Sequence, residues 1–159
     1  MTRADLDTFI PPRVRGLLAD PAFIGSAVRL ASEQELRRKR LRDYCALVST
    51  AFSVTLAAFA VEHGVMVGEF RGKSHVWVEA AGTIYDLTLT QFDRHASPVA
   101  ISGADDPRYR LHHRSSKEVA RFDLELMGVA YAVPKIVQRA AGIMAYQLVA
   151  SRQTGGSDV

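Results

Sequence analysis

Between Tyr44 and His63 the chain runs without a glycine or proline, and after Gly64 it breaks into short segments rich in Val, Ile, Tyr, Trp and Thr, punctuated by Gly68, Gly72 and Gly82. This switch constrains the fold: one long helix must be followed by strands joined through tight turns. In the first half, Leu47, Val48, Ala51, Phe52, Val54, Leu56, Phe59 and Val61 occupy nearly every helical face, so the helix is a central, buried one that Gly64 should end. The apolar stretch from Ala46 to Val61 carries four hydroxyl residues and is shorter than the roughly 20 residues needed to cross a bilayer. Three strands are predicted beyond it, Val65 to Phe70, His75 to Glu79 and Thr83 to Thr88. A further short strand is expected at Val99 to Ser102 or at Tyr109 to His112, with Gly103 to Pro107 as a loop.

The flanks read as helical. The segment up to Pro12 is expected to be an irregular arm or short helix, and Pro21 to Leu41 to hold a helix leading towards Cys45, with Ser32 and Glu35 spaced as a capping box. Ser115 to Glu118 offers a cap for a helix through Val119, Phe122, Leu126 and Met127 to Gly128. Pro134 suits the first turn of a last amphipathic helix through Ile136, Val137, Ala140, Met144 and Leu148. Its stripe of Val133, Val137, Ala141 and Met144 fits either packing on the core or a homodimer face. At 159 residues, 48% of them hydrophobic, the chain has the size and apolar content of one α+β domain, expected over residues 1–152 with a disordered tail at 153–159.

Charge and cysteine usage narrow the function classes. The net charge of +3 is mild, and much of the basicity sits in Arg37, Arg38, Lys39, Arg40 and Arg42. Glu33 and Glu35 lie at helical spacing from this run and no aromatic residue is interleaved in it, so it reads as a solvated helix face rather than a nucleic-acid site. Nucleic acid and membrane are therefore not expected partners. The single cysteine forms no internal disulfide and no secretory pattern opens the sequence, which leads to a cytoplasmic expectation.

That cysteine, Cys45, opens the apolar helix, and His75 and Asp86 follow on neighbouring predicted strands. The first turn of a helix places a thiol at the positive end of the helix dipole, which favours its ionised form. Alternate residues of a strand share a face, so His75, Trp77 and Glu79 point one way, as do Ile84, Asp86 and Thr88. If the connection between Ala80 and Thr83 is an even-numbered hairpin loop, Glu79 pairs with Ile84, and His75 lies one diagonal step from Asp86, about 7–8 Å away at Cα. A three-residue loop would throw Asp86 to the other face. In the favourable register Cys45 is a nucleophile, His75 its base and later the acid, and Asp86 the group that orients the imidazole. The backbone N–H of Cys45 would bind the oxyanion; no Gln or Asn other than Gln34 lies in the dozen residues before it to add a side-chain donor.

Cys45-Ala-Leu-Val-Ser49, Gly64, His75-Val-Trp77-Val-Glu79, Gly82, Tyr85-Asp86-Leu-Thr88 and Gln91-Phe92 together resemble the transglutaminase-like branch of the papain-like cysteine peptidase superfamily, including small bacterial proteins related to lasso-peptide leader peptidases. The resemblance covers about residues 43 to 92. It implies a nucleophile helix packed on a small antiparallel sheet with flanking N- and C-terminal helices, and acyl-transfer chemistry on an amide of a peptide or protein by Cys45, His75 and Asp86. Trp77 and Gln91 become candidate substrate-binding residues, and no cofactor is implied. Two departures stand out: the interval from Cys45 to His75 is short, and Leu41-Arg42-Asp43-Tyr44 carries no glycine before the nucleophile.

Other readings of the same residues exist. A lone cysteine in an apolar helix is ordinarily a small buried hydrophobe, Trp77 ordinarily a packing residue, and Asp86 fits a strand-end turn. Cys45, His75 and Asp86 as zinc ligands lack the close-spaced ligand pairs of structural zinc sites, so no metal is expected. The alternative to an enzyme is a catalytically silent papain-like module that binds a protein partner.

Overall fold

A computed structural model describes residues 10–37, 41, 43–115 and 128–153. Residues 116–127 of the helix expected between Ser115 and Gly128, most of the basic run after Arg37, the tail after residue 153 and the first nine residues lie outside the described residues. In chain order the elements are α1 (Pro12–Leu18), α2 (Pro21–Leu36), α3 (Cys45–Ala58), β1 (Gly64–Phe70), β2 (Lys73–Ala80), β3 (Thr83–Asp86), a 3-10 turn (Leu89–Gln91), β4 (Ala100–Gly103), β5 (Tyr109–Ser115) and α4 (Ala132–Gln153). The fold is α+β, with helices packed on a five-stranded antiparallel sheet of order β4-β3-β2-β1-β5.

Helix boundaries follow local chemistry, not always as expected. α2 starts at Pro21 because Asp20 caps it, its Oδ1 accepting the Ala22 N–H at 2.9 Å. Ser32 is therefore no cap; it is buried in the helix and donates to Val28 O, four residues back, at 2.7 Å. α3 stops at Ala58, ahead of Gly64, because Ala60 takes a left-handed φ of 56°. The Val61 N–H then bonds Leu56 O at 3.0 Å and the Ala60 N–H bonds Ala57 O at 3.0 Å, the two bonds of a Schellman cap. Gly64 opens β1 instead. Within α3, Thr55 donates to Ala51 O at 2.8 Å, and Ser53 bonds His63 Nε2 at 2.7 Å.

Both strand connections flanking β2 are two-residue turns with positive φ at each position, Arg71 (48°) with Gly72 (77°) and Ala81 (49°) with Gly82 (72°). This is the hairpin geometry whose twist matches the strands. The second turn sets the register, pairing Ala80 with Thr83, Glu79 with Ile84 and Val78 with Tyr85. The even-numbered connection is thus the one present. Both candidate positions for a further strand are filled: β4 pairs with β3, while β5 crosses to the far edge and pairs with β1.

The sheet packs through two clusters. Val65 and Val78 join Ile24, Val28, Leu47, Phe52, Leu56, Ile136 and Met144 in the core beneath the helices. Met66, Trp77 and Ile84 form a second cluster, with Tyr109 against it. Strand alternation assigns His75 to the same face as Trp77. β3 pairs with β2 only at residues 78–80, so the first half of β2 has no β3 partner on that flank.

Candidate active site

Cys45, His75 and Asp86 are brought together by that truncated pairing. Cys45 occupies the first turn of α3 and is partly exposed. Ser49, one turn on, donates to Val76 O at 3.1 Å, which fixes the start of α3 beside the strand residue next to His75. The Cys45 thiol is near enough to the imidazole to help raise its pKa. The approach is made by a turn whose Asp43 has a left-handed φ of 65°. Asp is among the few non-glycine residues that tolerate this conformation.

His75 is fully buried, and its two ring nitrogens have separate partners. Nε2 is 2.7 Å from Asp86 Oδ2, and Nδ1 is 3.2 Å from Gln91 Nε2. The tautomer follows from the backbone. The Asp43 N–H can only donate, and it does so to Gln91 Oε1 at 3.2 Å, so the other end of that amide is the NH2 group and donates to Nδ1. In the neutral ring Nδ1 is therefore the acceptor and Nε2–H donates to Asp86. The lone pair of the base is on the side of the ring that Gln91 occupies.

Asp86 is buried and saturated with donors. Its Oδ1 accepts the Thr88 N–H at 2.9 Å and the Thr88 hydroxyl at 3.3 Å, and its Oδ2 accepts the Tyr109 hydroxyl at 2.9 Å as well as His75. Burial and the charge of Asp86 push the Tyr109 pKa up, so its hydroxyl remains a donor at ordinary pH. For His75, burial works to lower the pKa; hydrogen bonds to Asp86 and Cys45 and the charges of both outweigh it and raise the value to about 9. Within this pocket the imidazolium is the favoured product of proton transfer.

The ring is walled by aromatics. Trp77 stacks at 6.2 Å between centroids, Phe92 meets it edge-on at 5.0 Å, and Phe70 lies at 6.2 Å. Trp77 is only 1% exposed and its indole N–H donates to Glu79 at 3.3 Å, so it stands behind the imidazole, away from the accessible side. Gln91, partly exposed, is where a bound molecule would meet the ring. Lys73 Nζ lies 5.7 Å over Phe92 and Arg71 Cζ 5.4 Å over Phe70, giving the wall a cationic rim.

Two contributors were not legible beforehand. Tyr109 reaches Asp86 only because β5 lies beside β1, a pairing that no local pattern announces. Arg29, 3% exposed on α2, donates to Leu87 O and, at 3.0 Å, to Thr90 Oγ1, while its Nε bonds Glu33 at 2.7 Å. It pins the segment that carries Gln91 to the helical layer. A single Arg within Ala27-Val28-Arg29-Leu30-Ala31 was the available signal, since a cation in an apolar helical run demands buried acceptors.

Comparison of the chain with protein-family models, with curated proteins and with solved structures returned no match.

Proposed function

We propose that this protein is a cysteine-dependent acyl-transfer enzyme acting on an amide of a peptide or protein, of the protease, deamidase or transglutaminase type. One observation carries the reading: a buried imidazole whose Nε2 is held by a saturated carboxylate and whose proton affinity is raised further by the cysteine at a helix start. In the reaction the Cys45 thiol passes its proton to Nδ1 as Sγ attacks the amide carbon, and the carbonyl π pair moves onto oxygen. On collapse the C–N bond breaks and the imidazolium returns the proton to the departing amine. Water or a second amine then takes the acyl group from sulfur. Asp86 keeps Nε2–H engaged throughout, so the ring does not turn between the two proton transfers. The sequence resemblance to the transglutaminase-like branch agrees with these roles.

The setting that suits this chemistry is a reducing, cytoplasmic one, where the thiol stays free. No helix among the described residues is long and apolar enough to cross a membrane. The test is the rate of Cys45 alkylation by iodoacetamide from pH 5 to 9, followed by mass, in the wild type and in His75→Ala. An unassisted thiol is about 1% ionised at pH 6.5. The wild type should react at least about tenfold faster than that fraction allows and lose the advantage without His75. Equal, slow rates in both proteins would refute the enzyme reading and leave a non-catalytic protein-binding module.

A further inference from the structure

The acyl-transfer reading requires a second donor for the oxyanion, because one backbone N–H at the start of α3 leaves a lone pair of that oxygen unpartnered. The donor needs three properties. It must sit beside Cys45, it must be held before substrate arrives, and it must be available when negative charge forms. Gln91 has the first two on view. Its Oε1 takes the Asp43 N–H at 3.2 Å, two residues before the nucleophile, which ties the side chain to the turn that leads into Cys45 and aims its NH2 group at His75 Nδ1. The 3-10 turn carrying it is anchored by buried Leu89 and by the bonds from Arg29 to Leu87 O and Thr90 Oγ1.

Availability follows from the single lone pair on Nδ1. In the neutral ring that lone pair accepts the Gln91 N–H at 3.2 Å. Once Nδ1 carries a proton, as in the imidazolium that pairs with the thiolate, it is a donor and can no longer accept, so the Gln91 N–H lacks that partner when the carbonyl oxygen becomes anionic. We infer that Gln91 Nε2 is the side-chain oxyanion donor of this site, bonded to His75 Nδ1 only while the ring is neutral and available to the substrate oxygen once Nδ1 is protonated. The inference rests on the acyl-transfer reading and adds a catalytic residue to it. It assigns to Gln91 a role for which the residues before Cys45 offer no candidate.

The probe reactions are acylation by p-nitrophenyl acetate and alkylation by iodoacetamide. In acylation the Sγ–C bond forms, the bond from the acyl carbon to the aryl oxygen breaks, and p-nitrophenol leaves with the thiol proton; a tetrahedral oxyanion lies on the way. Alkylation displaces iodide at a saturated carbon and forms no oxyanion, so it serves as the reference rate. Gln91→Glu keeps an acceptor for the Asp43 N–H but has no N–H to give when ionised, and Gln91→Ala removes both. The ratio of acylation to alkylation should fall about 100-fold in each variant, the scale of losing one oxyanion donor. A ratio within about threefold of wild type overturns the inference, including the case in which both rates fall together as for a purely structural residue. If wild-type alkylation proves independent of His75, the acyl-transfer reading fails as well; if it is His75-dependent and the ratio ignores Gln91, only the oxyanion role falls.

Discussion

Asp86→Asn is the sharpest probe of the electrostatics of the buried imidazole. The carboxylate accepts four hydrogen bonds, from His75, Tyr109 and twice from Thr88, and the bonds to Thr88 hold Oδ1 in place. An asparagine oriented to keep Oδ1 on the Thr88 N–H presents its NH2 group to two donors, His75 Nε2–H and the Tyr109 hydroxyl. The neutral ring then has to move its hydrogen to Nδ1, where it confronts the Gln91 NH2. Raising the His75 pKa from 6.5 to about 9 corresponds to about 3 kcal/mol in favour of the imidazolium. Asp86 is the largest cause raising it, and without that charge burial is opposed by Cys45 alone, so the ring gives up its proton at a lower pH than in the wild type. The sign is that of a group with a raised folded pKa: the stabilisation is fully present below pH 6.5 and is lost as pH rises through 9. Wild-type stability to urea should therefore decline by up to about 3 kcal/mol between pH 6.5 and pH 9.5, and Asp86→Asn should be destabilised most at pH 6.5, with the difference narrowing towards pH 9.5. Trp77, the only tryptophan, reports both unfolding and titration from within the site, because its ring lies 6.2 Å from His75 and imidazolium quenches indole emission. Emission should rise with a midpoint near pH 9 in the folded wild type and show no such step in Asp86→Asn. A wild-type midpoint near 6.5, or an unfolding penalty for Asp86→Asn that is constant across the pH range, would refute this account of the pocket.

Tyr109→Phe removes one donor from Asp86 Oδ2 and leaves the carboxylate more strongly basic towards His75; a stability loss of about 1 kcal/mol and an upward move of the His75 midpoint are expected, the midpoint shift opposite in sign to that of Asp86→Asn. Gly68→Ala would set a Cβ 2.0 Å from Arg110 O and 2.9 Å from the Trp77 ring, at the point where the β1–β5 register slips, so urea unfolding should register a loss of about 3 kcal/mol or more. Arg29→Lys replaces a fork by a single ammonium that cannot serve Leu87 O, Thr90 and Glu33 together; a loss of about 2 kcal/mol with slower Cys45 acylation is expected, and unchanged kinetics would show that Gln91 holds its place without this anchor.

Much of the candidate site is written in short-range pattern. The apolar run without glycine or proline makes α3, the period of two makes β1 to β3, and Ala81-Gly82 makes a two-residue turn. From turn length and alternation alone, His75 and Asp86 fall on one face, because side-chain parity in a hairpin is a local property. Errors of reading were local as well: Ser32-Glu35 matches a cap, but Asp20-Pro21 starts the helix first, and Gly64 was not needed because Ala60 accepts the left-handed cap.

What only the tertiary structure decided depends on contacts between distant parts of the chain. The sequence specifies that a cysteine heads a helix and that a histidine and an aspartate share a sheet face if the turn between their strands is even-numbered. It does not say that the helix start docks where β3 leaves β2, that β5 crosses to β1 and carries Tyr109 to Asp86, or that Gln91 spans Asp43 and His75. Those placements arise from burying apolar faces against one another and satisfying the polar groups caught between them, and among the described residues no buried side-chain nitrogen or oxygen is left without a partner. Burial and charge at His75 are set by that packing, so the proton affinity on which the proposed chemistry depends belongs to the fold and not to any segment of the sequence.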